Sequence, residues 1–245
     1  MSVLFNAGTD KAVATLSLHS DDNYYWTFFD FWKRDSSSGT HGRVLCMTRA
    51  DGAASWDVRC EADGKFVLYD PVGNFNVSTL AVTAGQWNGV ALCFDVLGNT
   101  TFCLRRPGDS GFDVACTLAS NGNVHQPAKP TLGSRDTGSY ASALGNHAHP
   151  RVFTGGAARS NTAYLSLANL DAEYESATLV KTSLGTNGVY EAWDLFDDLA
   201  ATFNTPTNDM VGTGTSIASP ADDPTFGGGI SIPALMHYYR TSDRV

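Results

Sequence analysis

Carboxylates are the side chains here with the plainest capacity for chemistry. Glu191, Asp194, Asp197 and Asp198 form the richest acidic cluster, with Glu61-Ala-Asp63 and Glu173-Tyr-Glu175 as smaller ones. Retaining glycoside hydrolysis needs two carboxyl groups about 5–5.5 Å apart, one as acid and one as nucleophile. On a strand Glu191 and Asp194 face opposite sides, and on a helix Glu173 and Glu175 diverge. These clusters read as solvated edges, and no catalytic residue is assigned. No Gly-x-Ser-x-Gly elbow supplies a strained nucleophile. His147-Ala-His149 would send two imidazoles to one side of an extended chain, leaving a transition metal short of a third ligand. An exposed pair in a loop is the plainer reading. Tyr24 and Tyr25 at a strand start, and Tyr140 in a Ser- and Gly-rich loop, offer rings for stacking on a sugar or for ordinary rim packing.

Elements that could position such groups are mostly strands. Residues 1–135 alternate short β-branched and aromatic stretches with Gly, Asp, Asn and Ser clusters, the pattern of antiparallel hairpins. In residues 56–63, Trp56, Val58, Cys60 and Ala62 share one face and Asp57, Arg59, Glu61 and Asp63 the other, as on a half-buried strand. Asp63-Gly64 turns into a strand over 65–69, which Pro71 and Gly73 end. A strand over 85–95 with Val90, Leu92 and Phe94 on one side returns, after Gly98-Asn99, through 101–105. Tyr24 to Trp32 is apolar on both faces, as a covered central strand is. Asp30 within it must be hydrogen-bonded, meet a wet edge or sit at a bulge, since an unpaired buried charge is destabilising.

From 133 to 156 the Gly, Ser and Asn content predicts long loops on one rim, and 162–169 returns to strand-like alternation. Asp171 is placed as an N-cap for a helix over about 171–184, with Tyr174, Ala177 and Val180 inward, and a strand is predicted over about 188–196. The fold class is therefore all-β. Its expected division is a sandwich domain over 1–203 and a Gly-, Pro- and Thr-rich extension over 204–245 ending in an apolar tail.

Composition supports a single large core: the 245 residues are 42% hydrophobic and only 17% charged. With 16 Lys and Arg against 25 Asp and Glu, the formal charge of −9 would repel phosphate backbones and anionic lipid heads. Nucleic acid is not an expected partner. No run approaches the roughly 18 apolar residues of a membrane helix, and the first residues lack the basic start and apolar stretch of a secretion signal. The expectation is synthesis in a cytoplasm without membrane insertion. Five cysteines at low density are read as reduced, buried thiols. Cys46 with Cys60, and Cys93 with Cys103, are nonetheless equidistant from the centres of their hairpins, and their redox state stays open.

Several segments together resemble the laminin-G-like, or concanavalin A-like, jelly-roll family. Gly85-Gln-Trp87-Asn-Gly-Val-Ala-Leu-Cys-Phe-Asp95 is similar to that family's Gly-x-Trp-x-x-Val-Ala-x-x-Phe-Asp strand. Thr27 to Arg34 resembles its first long strand, Leu132-Gly133 its Leu-Gly strand, and Phe153-Thr-Gly-Gly156 its Phe-x-Gly. The resemblance spans roughly residues 1–200 and implies an antiparallel β-sandwich. Its hydrolytic members carry Glu-x-Asp-x-x-Glu, which this chain lacks. Many of its members bind calcium through a rim aspartate, for which Asp51, Asp109 and Asp136 are the loop residues available. No cofactor is otherwise implied.

A second resemblance concerns setting. Leu4-Phe-Asn-Ala-Gly-Thr-Asp10 at the start, and Ala192-Trp193-Asp-Leu leading to Asn208-Asp-Met-Val-Gly212, are similar to stand-alone proteins encoded by tailed bacteriophages, usually virion components. It implies a non-enzymatic decoration or structural protein of head or tail, located in the virion and made in the host cytoplasm. Capsid or tail subunits, and copies of itself as in a trimer, would be its partners. Ile230, Ile232, Leu235, Met236, Tyr238 and Tyr239 in the apolar tail are the interface candidates. The alternative is a carbohydrate-binding module for host or matrix glycans, and a third reading is a glycoside hydrolase using Glu191 or Asp194.

Overall fold

The computed structural model describes residues 3–5, 7–14, 26–36, 41–49, 55–94, 99–119, 128–133, 141–155, 167–175, 188–194, 200–201, 210–213, 216–217, 225–226 and 230–231. In chain order the strands are β1 (Val3–Phe5), β2 (Lys11–Ala14), β3 (Trp26–Arg34), β4 (Gly42–Arg49), β5 (Ser55–Cys60), β6 (Lys65–Tyr69) and β7 (Phe75–Ala81). There follow β8 (Trp87–Phe94), β9 (Asn99–Arg105), β10 (Asp113–Ala119), β11 (Ala128–Gly133) and β12 (Gly145–Gly155). Helix α1 (Leu167–Glu175) precedes β13 (Gly188–Asp194), β14 (Ala200–Ala201), β15 (Met210–Thr213), β16 (Ser216–Ile217), β17 (Thr225–Phe226) and β18 (Ile230–Ser231).

Among the described residues, a larger sheet of nine strands runs β10-β9-β8-β3-β12-β1-β16, with β13 and β14 beside β12. A smaller sheet of seven runs β15-β2-β11-β4-β5-β6-β7. Two antiparallel sheets thus face each other, as the sequence predicts. Period-two alternation explains the core between them. Phe28, Trp32, Val90, Leu92, Phe94 and Phe102 point inward from the larger sheet, and Met47, Trp56, Val58, Phe66 and Leu68 from the smaller. Trp56 meets Phe94 edge-on at 4.8 Å, and Phe66 meets Phe102 at 4.6 Å, so aromatic rings fasten the layers together.

The predicted hairpins are present. Val90, Leu92 and Phe94 share the inner face of β8, which pairs with β9, and Gly64 makes the β5–β6 turn at φ 85°. β3 is covered on both sides: Phe29 and Phe31 on its outer face pack at 6.0 Å and 5.3 Å against Phe112 and Tyr174. Tyr174 comes from α1. A Cβ at Gly89 would lie 2.6 Å from the Phe112 ring and 2.7 Å from the Tyr174 ring, so only glycine lets this roof close on β8.

Two expectations are corrected here. Residues 145–155 are strand, not rim loop: β12 is hydrogen-bonded along β3, and Ala148 and Val152 are buried. Its sequence hides this because Pro150 lies where the register shifts, between Ala148 and Arg151. Helix α1 begins at Leu167, so residues 167–169 are helical and Asp171 is an interior residue of the helix, not its N-cap. The carboxylate of Asp171 accepts instead from the Phe112 backbone N–H at 2.7 Å. The segments after 204 contribute to both sheets: β15 pairs with β2, and β16 with β1.

Candidate functional site

The outward face of β5, β6 and β7 combines aromatic and planar polar groups at the surface. Tyr69 stands opposite Asp57 and Phe75, and Val67 opposite Arg59 and Val77, so these residues share one face of the smaller sheet. The Tyr69 and Phe75 rings are 5.7 Å apart at 38°, and Phe75 is 62% exposed and Val77 45%. The turn that presents Phe75 is built by Asp70. Its Oδ1 accepts from the N–H groups of Val72 and Asn74, and its Oδ2 from Asn74 Nδ2 at 2.7 Å.

Charge on this face is internally matched. The Arg59 guanidinium lies 5.1 Å over the Tyr69 ring, while Nε and Nη2 each lie 2.6 Å from Glu61 Oε1. His41, largely exposed, has Nδ1 4.0 Å from Glu61 Oε2. Beneath them Arg43 donates to Asp57 Oδ2 at 2.7 Å, and Asp57 has no exposed surface. The polar side of β5 is therefore not uniformly wet, contrary to the half-buried reading. The shelf of Tyr69 and Phe75, rimmed by a guanidinium and a carboxylate, can stack on an apolar C–H face and hydrogen-bond to hydroxyl groups beside it.

Other charged groups are committed to the fold. Asp30 Oδ2 is 2.6 Å from His147 Nδ1, and neither side chain has exposed surface. Burial pushes the Asp30 carboxyl above its usual range, while the facing imidazole and the backbone of Ala148 and Phe31 draw it partly back. Of the sequence-based alternatives the hydrogen-bonded one holds: Asp30 pairs in regular register with Val90, and the bulge lies opposite it on β12. His147 packs its ring at 4.5 Å against Phe5, so the exposed-loop reading of His147 is corrected. His149 lies in the same strand. With no surface, this pair does not touch a solvent-borne substrate. Arg105 bonds Asp171 at 3.2 Å and Glu175, with its guanidinium 4.2 Å over Tyr174, and so pins α1.

All five cysteines are free and buried. Cys46, opposite Asp57, is on the sheet face away from Cys60, which is in the core, so that pair cannot bridge. Cys93 and Cys103 are each out of direct register, opposite Thr101 and Ala91. A hydrogen bond with Cys93, then burial, pushes the Cys103 thiol well up. Burial pushes Cys60 and Cys116 up to about 12. Such thiols are poor nucleophiles.

Of the residues singled out from sequence, Tyr24, Tyr25 and Tyr140 lie outside the described residues. So do Ile232, Leu235, Met236, Tyr238 and Tyr239, and Asp51 and Asp136. Ile230 is in β18, paired with Phe226. Glu191 and Asp194 are both in β13. Asp109 is engaged by Arg106 at 2.9 Å, a hydrogen bond that holds its carboxyl below the usual range. Sequence reasoning passed over Tyr69 and Phe75 as a site. The available signal was the alternation Phe75-Asn-Val77-Ser-Thr79, which continues the outward parity of a strand.

No protein-family model matches the chain, and no curated protein matches it by sequence. Among solved structures, a candidate carbohydrate binding protein from Bacteroides ovatus aligns over 95% of this chain and 62% of its own, at 11% identity and TM-score 0.56. The chain thus spans less than two thirds of that protein. A heptameric SAP-like pentraxin from Limulus polyphemus aligns over 62% of this chain and 74% of its own, at 13% identity and TM-score 0.46. Mouse laminin alpha1 domains LG4-5 align over 62% and 41%, at 11% and 0.46. What the chain shares with the Bacteroides ovatus protein at such identity is the fold alone, a sandwich of antiparallel sheets.

Proposed function

We propose that this chain is a non-catalytic adhesion module that holds a carbohydrate on the outward face of β5–β7. The observation that carries the reading is the shelf of exposed Phe75 beside half-buried Tyr69, with Arg59 stacked on Tyr69. Large rings at the surface of a rigid sheet bind with little loss of conformational freedom, and planar polar neighbours orient a hydroxylated ligand. The fold shared with the Bacteroides ovatus protein supports the same class of function. In a virion, to which the resemblance of the opening and C-terminal segments points, the shelf would bring the particle to a cell-surface glycan. Capsid or tail subunits would then be the protein partners.

Saturable binding of the purified chain on a glycan array, lost in Phe75→Ala, is the expected result. Absence of binding to any glycan overturns the reading, and release of reducing ends from a bound polysaccharide overturns its non-catalytic part.

A further inference from the structure

Resting on that reading, we infer that the shelf takes a neutral glycan, one that presents an apolar pyranose face and carries no carboxylate or sulfate at the contact. The inference comes from how the charge of the shelf is disposed. Arg59 is the cation beside Tyr69, and its charge is already answered: Nε and Nη2 both point at Glu61 Oε1, and the flat of its guanidinium lies on the ring. An acidic sugar would have to displace Glu61 from that geometry. It would exchange one charge-assisted hydrogen bond for another with no net gain, and leave the Glu61 carboxylate facing an anion.

Neighbouring groups do not alter the balance. Arg43, on the same face, is joined to the buried Asp57. His41 Nδ1 is 4.0 Å from Glu61 Oε2. Lys65 is exposed and lies across the β5–β6 turn from Glu61, whose N–H donates to the Lys65 carbonyl at 2.7 Å, so the charge it adds falls at the carboxylate end of the shelf, four residues along β6 from Tyr69. A neutral sugar meets none of these costs. It stacks on Tyr69 and Phe75, donates hydroxyls to the remaining acceptor positions of Glu61, and accepts from Arg59 N–H groups that Glu61 does not use.

Titration of the full chain with neutral oligosaccharides (cello-, manno- and galacto-series) and acidic ones (oligogalacturonate, a sulfated heparin fragment) tests this. A neutral series should bind with Kd changing less than about twofold between about 0.05 and 0.5 M salt. Tyr69→Ala and Phe75→Ala should each weaken it about tenfold, with far-ultraviolet circular dichroism unchanged because the rings lie outside the core. Glu61→Gln should unmask Arg59 and produce salt-sensitive binding of the acidic series. Salt-sensitive binding of acidic oligosaccharides alone by the unmodified chain, lost in Phe75→Ala, overturns the neutral assignment and leaves the adhesion reading standing. Neutral binding that is indifferent to both ring substitutions overturns the site, and no binding of either series overturns both readings.

Discussion

Ionising Asp30 inside an aromatic core costs more than the His147 contact and the backbone together return, so its carboxyl titrates above that of the unfolded chain. The folded state therefore holds this proton more tightly. The stability that follows is present in acid and is lost as pH rises from about 4 through the folded value. Asp30→Asn removes the titration and keeps an acceptor for His147 Nδ1. The stability of the parent relative to Asp30→Asn, from urea midpoints, should fall as pH rises above about 4. A difference flat across that range would count against this account. Sequence shows Asp30 as an anomaly because eight neighbours in 24–32 are Tyr, Trp, Phe or Thr. Its partner is not legible: His147 is 117 residues away, in a stretch whose Gly, Ser and Asn content reads as loop.

At the scale of elements, local signals and distant ones separate cleanly. The β5–β6 and β8–β9 hairpins are readable because turn residues and alternation lie within one short window. Helix α1 is harder to delimit, since what seats it is Arg105 on β9 and the glycine gap at Gly89, neither in its own sequence. Replacing Arg105 with Met removes the bonds to Asp171 and Glu175 and the stacking on Tyr174 while keeping a long apolar stem. Expected is a loss of about 1–2 kcal/mol, because both carboxylates are partly solvated and only the guanidinium is enclosed. Hydrogen exchange should rise in 167–175 and stay slow in β3. Equal acceleration in both would show that α1 is no separate unit. The strand β7 went unrecognised for a different reason: its exposed Phe75 and Val77 invert the usual apolar-inward parity, which is what makes it a site.

For the molecule as a whole, the two sheets are finished by strands far apart in sequence. β15 extends the smaller sheet beside β2, and β16 extends the larger beside β1. A chain ending at Phe203 would expose the hydrogen-bonding edges of both β2 and β1, whereas one ending at Gly229 keeps them paired. The shorter form should melt at least about 5 °C lower and associate on size-exclusion chromatography, with the longer one within about 2 °C of the full chain. The opposite edges are already guarded. Asn76 on β7 donates to the Thr117 carbonyl on β10 at 2.8 Å, and its own Oδ1 takes the Val77 N–H, so the two rims are sewn to each other.

The shelf has a further property that follows from its place in the chain. Arg59, Glu61, Tyr69, Phe75 and Val77 all belong to one uninterrupted meander over 55–81, joined by two tight turns. The inner side chains of that stretch, Trp56, Val58, Phe66 and Leu68, pack in the core, whereas Arg59, Tyr69, Phe75 and Val77 stand on its outer face. Recognition can thus drift, or be exchanged like a cassette, by rewriting alternate positions of a single hairpin pair, at small risk to the scaffold that carries it.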